Sequence, residues 1–208
     1  MRAICLLAFF CFAAQSAQAE RLIFKATLIN DNDFEISPGG YIEHGPGFML
    51  YNQGSLASPA VKSLCDTGIT ADFLFYLRKE HGEQIRAFSF DGGVKAHKSV
   101  EAVFEGFTER PLLSLLHKVS FSDDTCVGAL SIALFDKSGA PTSSATQLHA
   151  LDAGVFDNLK IKPGSDSILA HLNPKFWMKR ATEPVLPISS SAILTSSGVE
   201  LKIEPYQR

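Results

Sequence analysis

The chain has 208 residues, a formal net charge of −3, and 46% hydrophobic residues against 20% charged ones. That balance suits one domain with a sizeable core. The charge is mildly negative, with no basic stripe and no basic amphipathic helix, which excludes the electrostatic footprint of nucleic-acid and anionic-lipid binders.

The N-terminus reads as an export signal over residues 1–19. Arg2 supplies a positive start, and Ile4 to Ala14 form an apolar run of roughly a dozen residues, too short to span a bilayer. Ala17-Gln18-Ala19 then fits the small subsites of a signal peptidase, so Glu20 is the expected mature N-terminus. The alternative is an uncleaved anchor. No later stretch is long and apolar enough to cross a membrane. Residues 20–208 are therefore expected as one exported domain, periplasmic or secreted. Cys5 and Cys11 leave with the signal, and Cys65 and Cys126 remain. In an oxidising compartment this even pair predicts a disulfide, the alternative being two buried thiols. There is no C-x-x-C, which argues against a redox or zinc role.

Most of the mature chain reads as short strands between turns. Arg21 to Ile29 is β-branched and aromatic until Asn30-Asp31-Asn32-Asp33 breaks it. Pro38-Gly39-Gly40 and Gly45-Pro46-Gly47 are read as turns bracketing a short strand around Tyr41-Ile42. Ser58-Pro59 predicts a helix start, with Ser as cap and Pro at the first position, and Gly68 its stop. Phe73, Leu74 and Leu77 suggest a second short helix. Further strands are expected over Gln84 to Phe90, around Val100, Ala102 and Phe104, over Leu115 to Phe121, over Thr146 to Leu151, and over Val199 to Ile203. Ala129 to Phe135 is nearly all apolar, as in a central strand. Ala181 to Ser197, rich in Ser, Pro and Thr, is read as a long surface loop. The expected fold is mainly β: an antiparallel β-sandwich of about eight strands with one or two short helices.

No catalytic motif stands out. There is no G-x-S-x-G, no H-E-x-x-H, no P-loop and no dinucleotide glycine fingerprint. His44, His81, His97, His117, His149 and His171 lack metal-ligand spacing. The acidic loops carry more information. Asp123-Asp124 lies between two predicted strands, and Asp152, Asp157 and Asn158 lie in a second loop. Carboxylate and amide oxygens gathered at one end of a sandwich suit Ca²⁺ rather than zinc or copper. Ordinary turn chemistry is the alternative.

An ordered set of motifs resembles the spondin domain, the module near the N-terminus of F-spondin and mindin that also occurs alone in bacterial secreted proteins. It comprises Phe24 to Ile29, Ile36-Ser37-Pro38, His44, Gly54-Ser-Leu-Ala57-Ser58, Leu64-Cys65-Asp66-Thr67-Gly68, Asp123-Asp124-Thr-Cys-Val-Gly128 and Asp152-Ala153-Gly154 with Asn158 after it. The resemblance implies an antiparallel sandwich, an adhesion or matrix-binding role, and a metal site at one end in the animal members. Carried over, it makes Asp124 the first ligand candidate, with Asp152 next and Asp123 beside them. Three departures stand against an intact site. Leu130 replaces an acidic residue, Val155-Phe156 replaces a threonine and an acidic residue, and Lys160 stands near where bacterial members carry Glu.

The expected function is a non-catalytic binding module without nucleic-acid partners. It would recognise an extracellular or envelope protein or a polysaccharide through loops at one end of the sandwich. One rival is a periplasmic hydrolase whose triad is assembled from distant residues; another is a structural subunit of a cell-surface assembly. A deep pocket with a nucleophile hydrogen-bonded to a histidine separates the first rival from binding.

Overall fold

The computed structural model describes residues 20–52, 55–90, 92–120, 122, 124–153, 186–187 and 198–206. The signal segment, Asp123, Asp157, Asn158 and most of 181–197 lie outside them. Ten strands, two helices and a 3-10 turn are found among the described residues. In chain order they are β1 (Arg21–Asn30), β2 (Ile36–His44), α1 (Pro59–Thr67), α2 (Thr70–His81), the 3-10 turn Gly82–Gln84, β3 (Ile85–Phe88), β4 (Lys98–Phe107), β5 (Leu112–Val119), β6 (Thr125–Ala133), β7 (Ser144–Gln147), β8 (His149–Asp152), β9 (Leu186–Pro187) and β10 (Val199–Pro205).

All pairings are antiparallel. One sheet has the order β4-β1-β10-β7 and the other β3-β2-β5-β6-β8-β9. The sheets enclose a core containing Phe24, Leu28, Tyr41, Leu113, Leu115, Ile132 and Leu201. The four-stranded sheet turns alternate residues outward. There Lys25 reaches Glu204 at 2.7 Å and Glu101 at 3.6 Å, and Arg21 reaches Glu105 at 2.6 Å, so this face is solvated.

The six-stranded sheet is covered on both faces. The helices form a third layer, and Ile42, Leu64, Phe73, Leu77, Leu116 and Cys126 pack between them and the sheet. This explains why β5 is buried at every residue after Leu112. Ser58 caps α1 by accepting from Val61 N at 3.3 Å, and Gly68 closes it at φ 73°, donating to Leu64 O at 2.7 Å.

Three boundaries differ from the sequence reading. Pro38-Gly39-Gly40 is no turn; it lies inside β2, where the register with β5 shifts between Ile36 and Gly39. The reason is close packing. A Cβ on Gly40 would stand 2.1 Å from the Phe73 ring, and one on Gly39 would stand 2.3 Å from the His117 ring. The interior strand β6 begins at Thr125, and beyond Ala129 its burial lapses, with Leu130 37% exposed. Lastly, the expected strand Thr146 to Leu151 divides between the two sheets. β7 pairs with β10 and β8 pairs with β6, while Leu148 between them is buried and donates its N–H to Val199 O at 2.8 Å. This division is one source of the extra strands.

Candidate functional site

Asp124 and Asp152 are brought together by the β6–β8 ladder. Thr125 and Asp152 are register partners, and Ala153 donates its N–H to Asp124 O at 3.2 Å. Both aspartates are buried. Asp123, the third expected ligand, and the rest of the D-A-G loop lie outside the described residues. Among the described residues no group of three or more His, Cys, Asp or Glu is arranged to hold a metal ion. Two carboxylates alone fall short of the six to eight oxygens calcium takes.

The surroundings of this end are firmly held. Cys65 and Cys126 form the expected disulfide, with Cα atoms 5.5 Å apart, tying the last turn of α1 to a residue two positions after Asp124. Lys118, the register partner of Cys126, is buried, and its ammonium donates to Cys65 O. It therefore lies at the C-terminal, partially negative end of α1, where a cation is favoured. A buried ammonium this near also works against a second cation at the acidic end.

The buried histidines have structural partners. His44 Nδ1 contacts Gly45 O at 2.7 Å, so that nitrogen carries the proton and Nε2 accepts from the Ser114 hydroxyl at 2.8 Å. Ser114 Oγ also accepts from Ser131 N at 3.0 Å, where β6 bulges and Ser131 takes φ 54°. This pair has the atom relationship of nucleophile and base. Yet a carbonyl, not a carboxylate, orients the ring, and both residues are buried. His117 donates to Ser37 O at 3.2 Å and accepts from Tyr41 OH at 3.1 Å; burial pushes it down to about 4, so it is neutral.

An open concavity lies elsewhere. A cleft of about 980 Å³ is lined by the C-terminal end of α2, the 3-10 turn, all of β3, and Glu109-Arg110 after β4. Arg78, Arg86 and Arg110 face it, together with Glu83 and Glu109. Arg78 donates to Ala87 O at 2.9 Å, and Arg110 donates to Glu83 O at 3.3 Å and meets Glu109 at 2.6 Å. Arg86 donates to Glu105 O at 2.6 Å, joining the two sheets, and to Glu43 Oε1 at 3.1 Å. Its guanidinium also lies over the rings of Phe88 and Phe107. Glu43 is wholly buried and Oε2 makes no hydrogen bond; burial pushes its carboxyl up to about 7 against the opposing pull of Arg86.

These cleft residues escaped the sequence reading. The one available signal was Glu43 itself, a charge between Ile42 and His44 in a strand with no polar face to put it on. No curated protein gave a match. The Spondin_N family model matches residues 40–165, which runs from within β2 through the acidic end and takes in the disulfide and the helical layer. The chain thus belongs to the spondin N-terminal domain family.

Proposed function

We infer that this is an exported, non-catalytic binding module that recognises a protein or surface polymer. Its family is a non-enzymatic, extracellular type of domain. The observation that carries the reading is where the chemistry lies. The Ser114–His44 pair is buried within the helix-covered sheet, while an open, charged cleft runs along a sheet edge. That distribution suits recognition rather than turnover. A disulfide-tied fold fits an oxidising compartment, and periplasm or cell exterior is the proposed location.

Calcium belongs to this reading as an assisting ligand. Asp124 and Asp152 are adjacent and buried, and Asp123 would add a third carboxylate. The test is a pull-down from the native envelope with immobilised full-length mature protein, with and without chelator. A specific partner retained by folded protein and lost on reduction and unfolding supports the reading. Turnover of ester or amide substrates that vanishes in Ser114→Ala would favour the hydrolase instead.

A further inference from the structure

The edge strand β3 lines the cleft described above, and one side of its backbone has no strand partner among the described residues. In the six-stranded sheet β3 pairs only with β2, through Tyr41–Phe88, Ile42–Ala87, Glu43–Arg86 and His44–Ile85. The side chain of Arg78 donates to Ala87 O, so the carbonyl of Ala87 points away from β2. Backbone groups alternate along a strand, so the N–H and C=O of Ile85 and the N–H of Ala87 point the same way. The Ile85 N–H closes the 3-10 turn Gly82–Gln84 onto Gly82 O, and the Ile85 C=O and Ala87 N–H have no strand partner among the described residues. An edge of this kind is a template for an added strand unless it is blocked.

The other sheet's edge beside it is treated differently. Glu105 O of β4 is taken by Arg86, and Arg21 holds the Glu105 side chain. The charges along the cleft are also unequal in their commitments. Arg86 is engaged by Glu43, and Arg110 by Glu109. Arg78 spends one nitrogen on Ala87 O and forms no ion pair among the described residues, although Glu83 and Glu109 line the same cleft. At the other end the cleft meets a second concavity at Gln84, where Phe48 and the exposed Met49 offer apolar surface. An outward N–H and C=O, a guanidinium in no ion pair among the described residues, and neighbouring apolar surface together match an extended peptide bearing acidic side chains.

We propose that β3 takes up an extended, acidic segment of a partner protein as an additional antiparallel or parallel strand, with Arg78 selecting its carboxylate. This rests on the binding-module reading and names the surface and the chemistry of the partner. The occupant brings its own backbone to Ile85 and Ala87 and a carboxylate to Arg78, leaving the β2–β3 ladder intact.

The probe is a capped synthetic peptide of alternating threonine and valine carrying two aspartates, with a counterpart carrying two lysines. Amide resonances of the mature protein are followed during titration. The expected result is a shift at the Ala87 amide and at the Arg86 amide, which shares a peptide group with the outward Ile85 C=O, with the aspartate peptide bound roughly fivefold more tightly than the lysine one. Ala87→Pro removes an outward N–H without touching the β2 ladder, a substitution an edge strand accepts. It should weaken the aspartate peptide by roughly tenfold or more while the β2 amides keep their shifts. Arg78→Gln should abolish the preference for aspartate over lysine. If Ala87→Pro perturbs the fold, the Arg78→Gln comparison decides alone. Equal binding of the two peptides, shifts confined to another surface, or undiminished binding by folded Ala87→Pro each overturns the proposal. So does concentration-dependent dimerisation at the same amides without peptide, which would give the edge to a second copy. A native partner retained equally by Ala87→Pro and wild type overturns the β3 assignment and leaves the module reading standing. Failure of any native partner to bind is a failure of that reading, and the peptide titration does not depend on it.

Discussion

Glu43 and Arg86 face each other across the β2–β3 ladder as register partners, the carboxylate fully buried and the guanidinium 3.1 Å away and about one-third exposed. Burial outweighs the ion pair, and the carboxyl titrates near 7 instead of its ordinary 4.5. A raised carboxyl has a definite effect on stability. Between those two values the folded state holds a proton that the unfolded state has released. Its contribution is complete below about 4.5 and is lost as pH rises through about 7, on the order of 3 kcal/mol in all. His117 acts in the opposite direction. Depressed to about 4 from 6.5, it contributes fully above 6.5 and loses that contribution as pH falls toward 4. The two slopes oppose each other between about 4.5 and 6.5. Urea midpoints of the wild type should therefore vary little there and fall from 6.5 to above 7. Glu43→Gln should remove the alkaline loss and expose the acid one. A variant profile parallel to the wild type would contradict the assignment.

Reduction of Cys65–Cys126 frees a loop whose ends are 61 positions apart. The chain-entropy model assigns such a loop about 4 kcal/mol, acting through the unfolded state. Urea unfolding of oxidised protein and of the Cys65→Ala/Cys126→Ala variant should differ by up to that amount. Both sulfurs also pack between the helices and the sheet, so some of the variant's loss is packing. A difference under about 1 kcal/mol would mean that the unfolded chain is already constrained there.

Gly40→Ala should destabilise the fold by about 1–3 kcal/mol, because its methyl meets the fully buried Phe73 ring with no room to relax. Gly40→Ala combined with Phe73→Leu should cost less than the two single losses added together, since the substitutions share one contact. Thermal melting of the four proteins closes this cycle. Strict additivity would show that the ring moves aside freely.

For the acidic end the comparison is melting of wild type and Asp124→Asn, each with millimolar calcium and with chelator. Extracellular modules bind calcium with dissociation constants on the order of 10⁻⁴ to 10⁻³ M. Calcium should raise the wild-type midpoint through mass action and leave Asp124→Asn unmoved. A wild type indifferent to calcium would make Asp124 and Asp152 buried structural carboxylates, with Lys118 supplying positive charge nearby and Leu130 standing where animal members have an acid.

Processing should leave Glu20 as the first residue, checked by the intact mass of exported protein. The backbone nitrogen of Glu20 already donates to Thr108 Oγ1 at 3.1 Å. The ammonium created by cleavage can keep that bond at the end of β4. A mass retaining residues 1–19 would refute the cleavage.

Much of the architecture was written in local patterns. The β-branched and aromatic run of β1, the Ser58 cap and the Gly68 stop had short-range physical causes, the disulfide followed from an even pair of cysteines, and each appears where expected. What stayed hidden depends on contacts across the fold. Gly39-Gly40 has turn composition, and only Phe73 and His117 pressing on β2 explain glycine within a strand. Residues 146–151 read as one strand, and nothing local marks Leu148 as the corner between sheets. Asp124 and Asp152 were found through motif order, and the β6–β8 ladder brings them side by side. The arginine cleft was illegible because Arg78, Arg86 and Arg110 come from three separate elements and share no spacing.

The corner at Leu148 gives the domain a built-in tie under load. β7 and β8 are one uninterrupted run of backbone anchored in different sheets, with Leu148 buried between them. Sliding the sheets past one another must drag that side chain out of the core and break its N–H bond to Val199 O. Pulling on β8, beside the acidic end, therefore loads the opposite sheet through covalent bonds instead of through side-chain packing alone. A domain built this way resists shear between its layers even where their interface is only greasy contact.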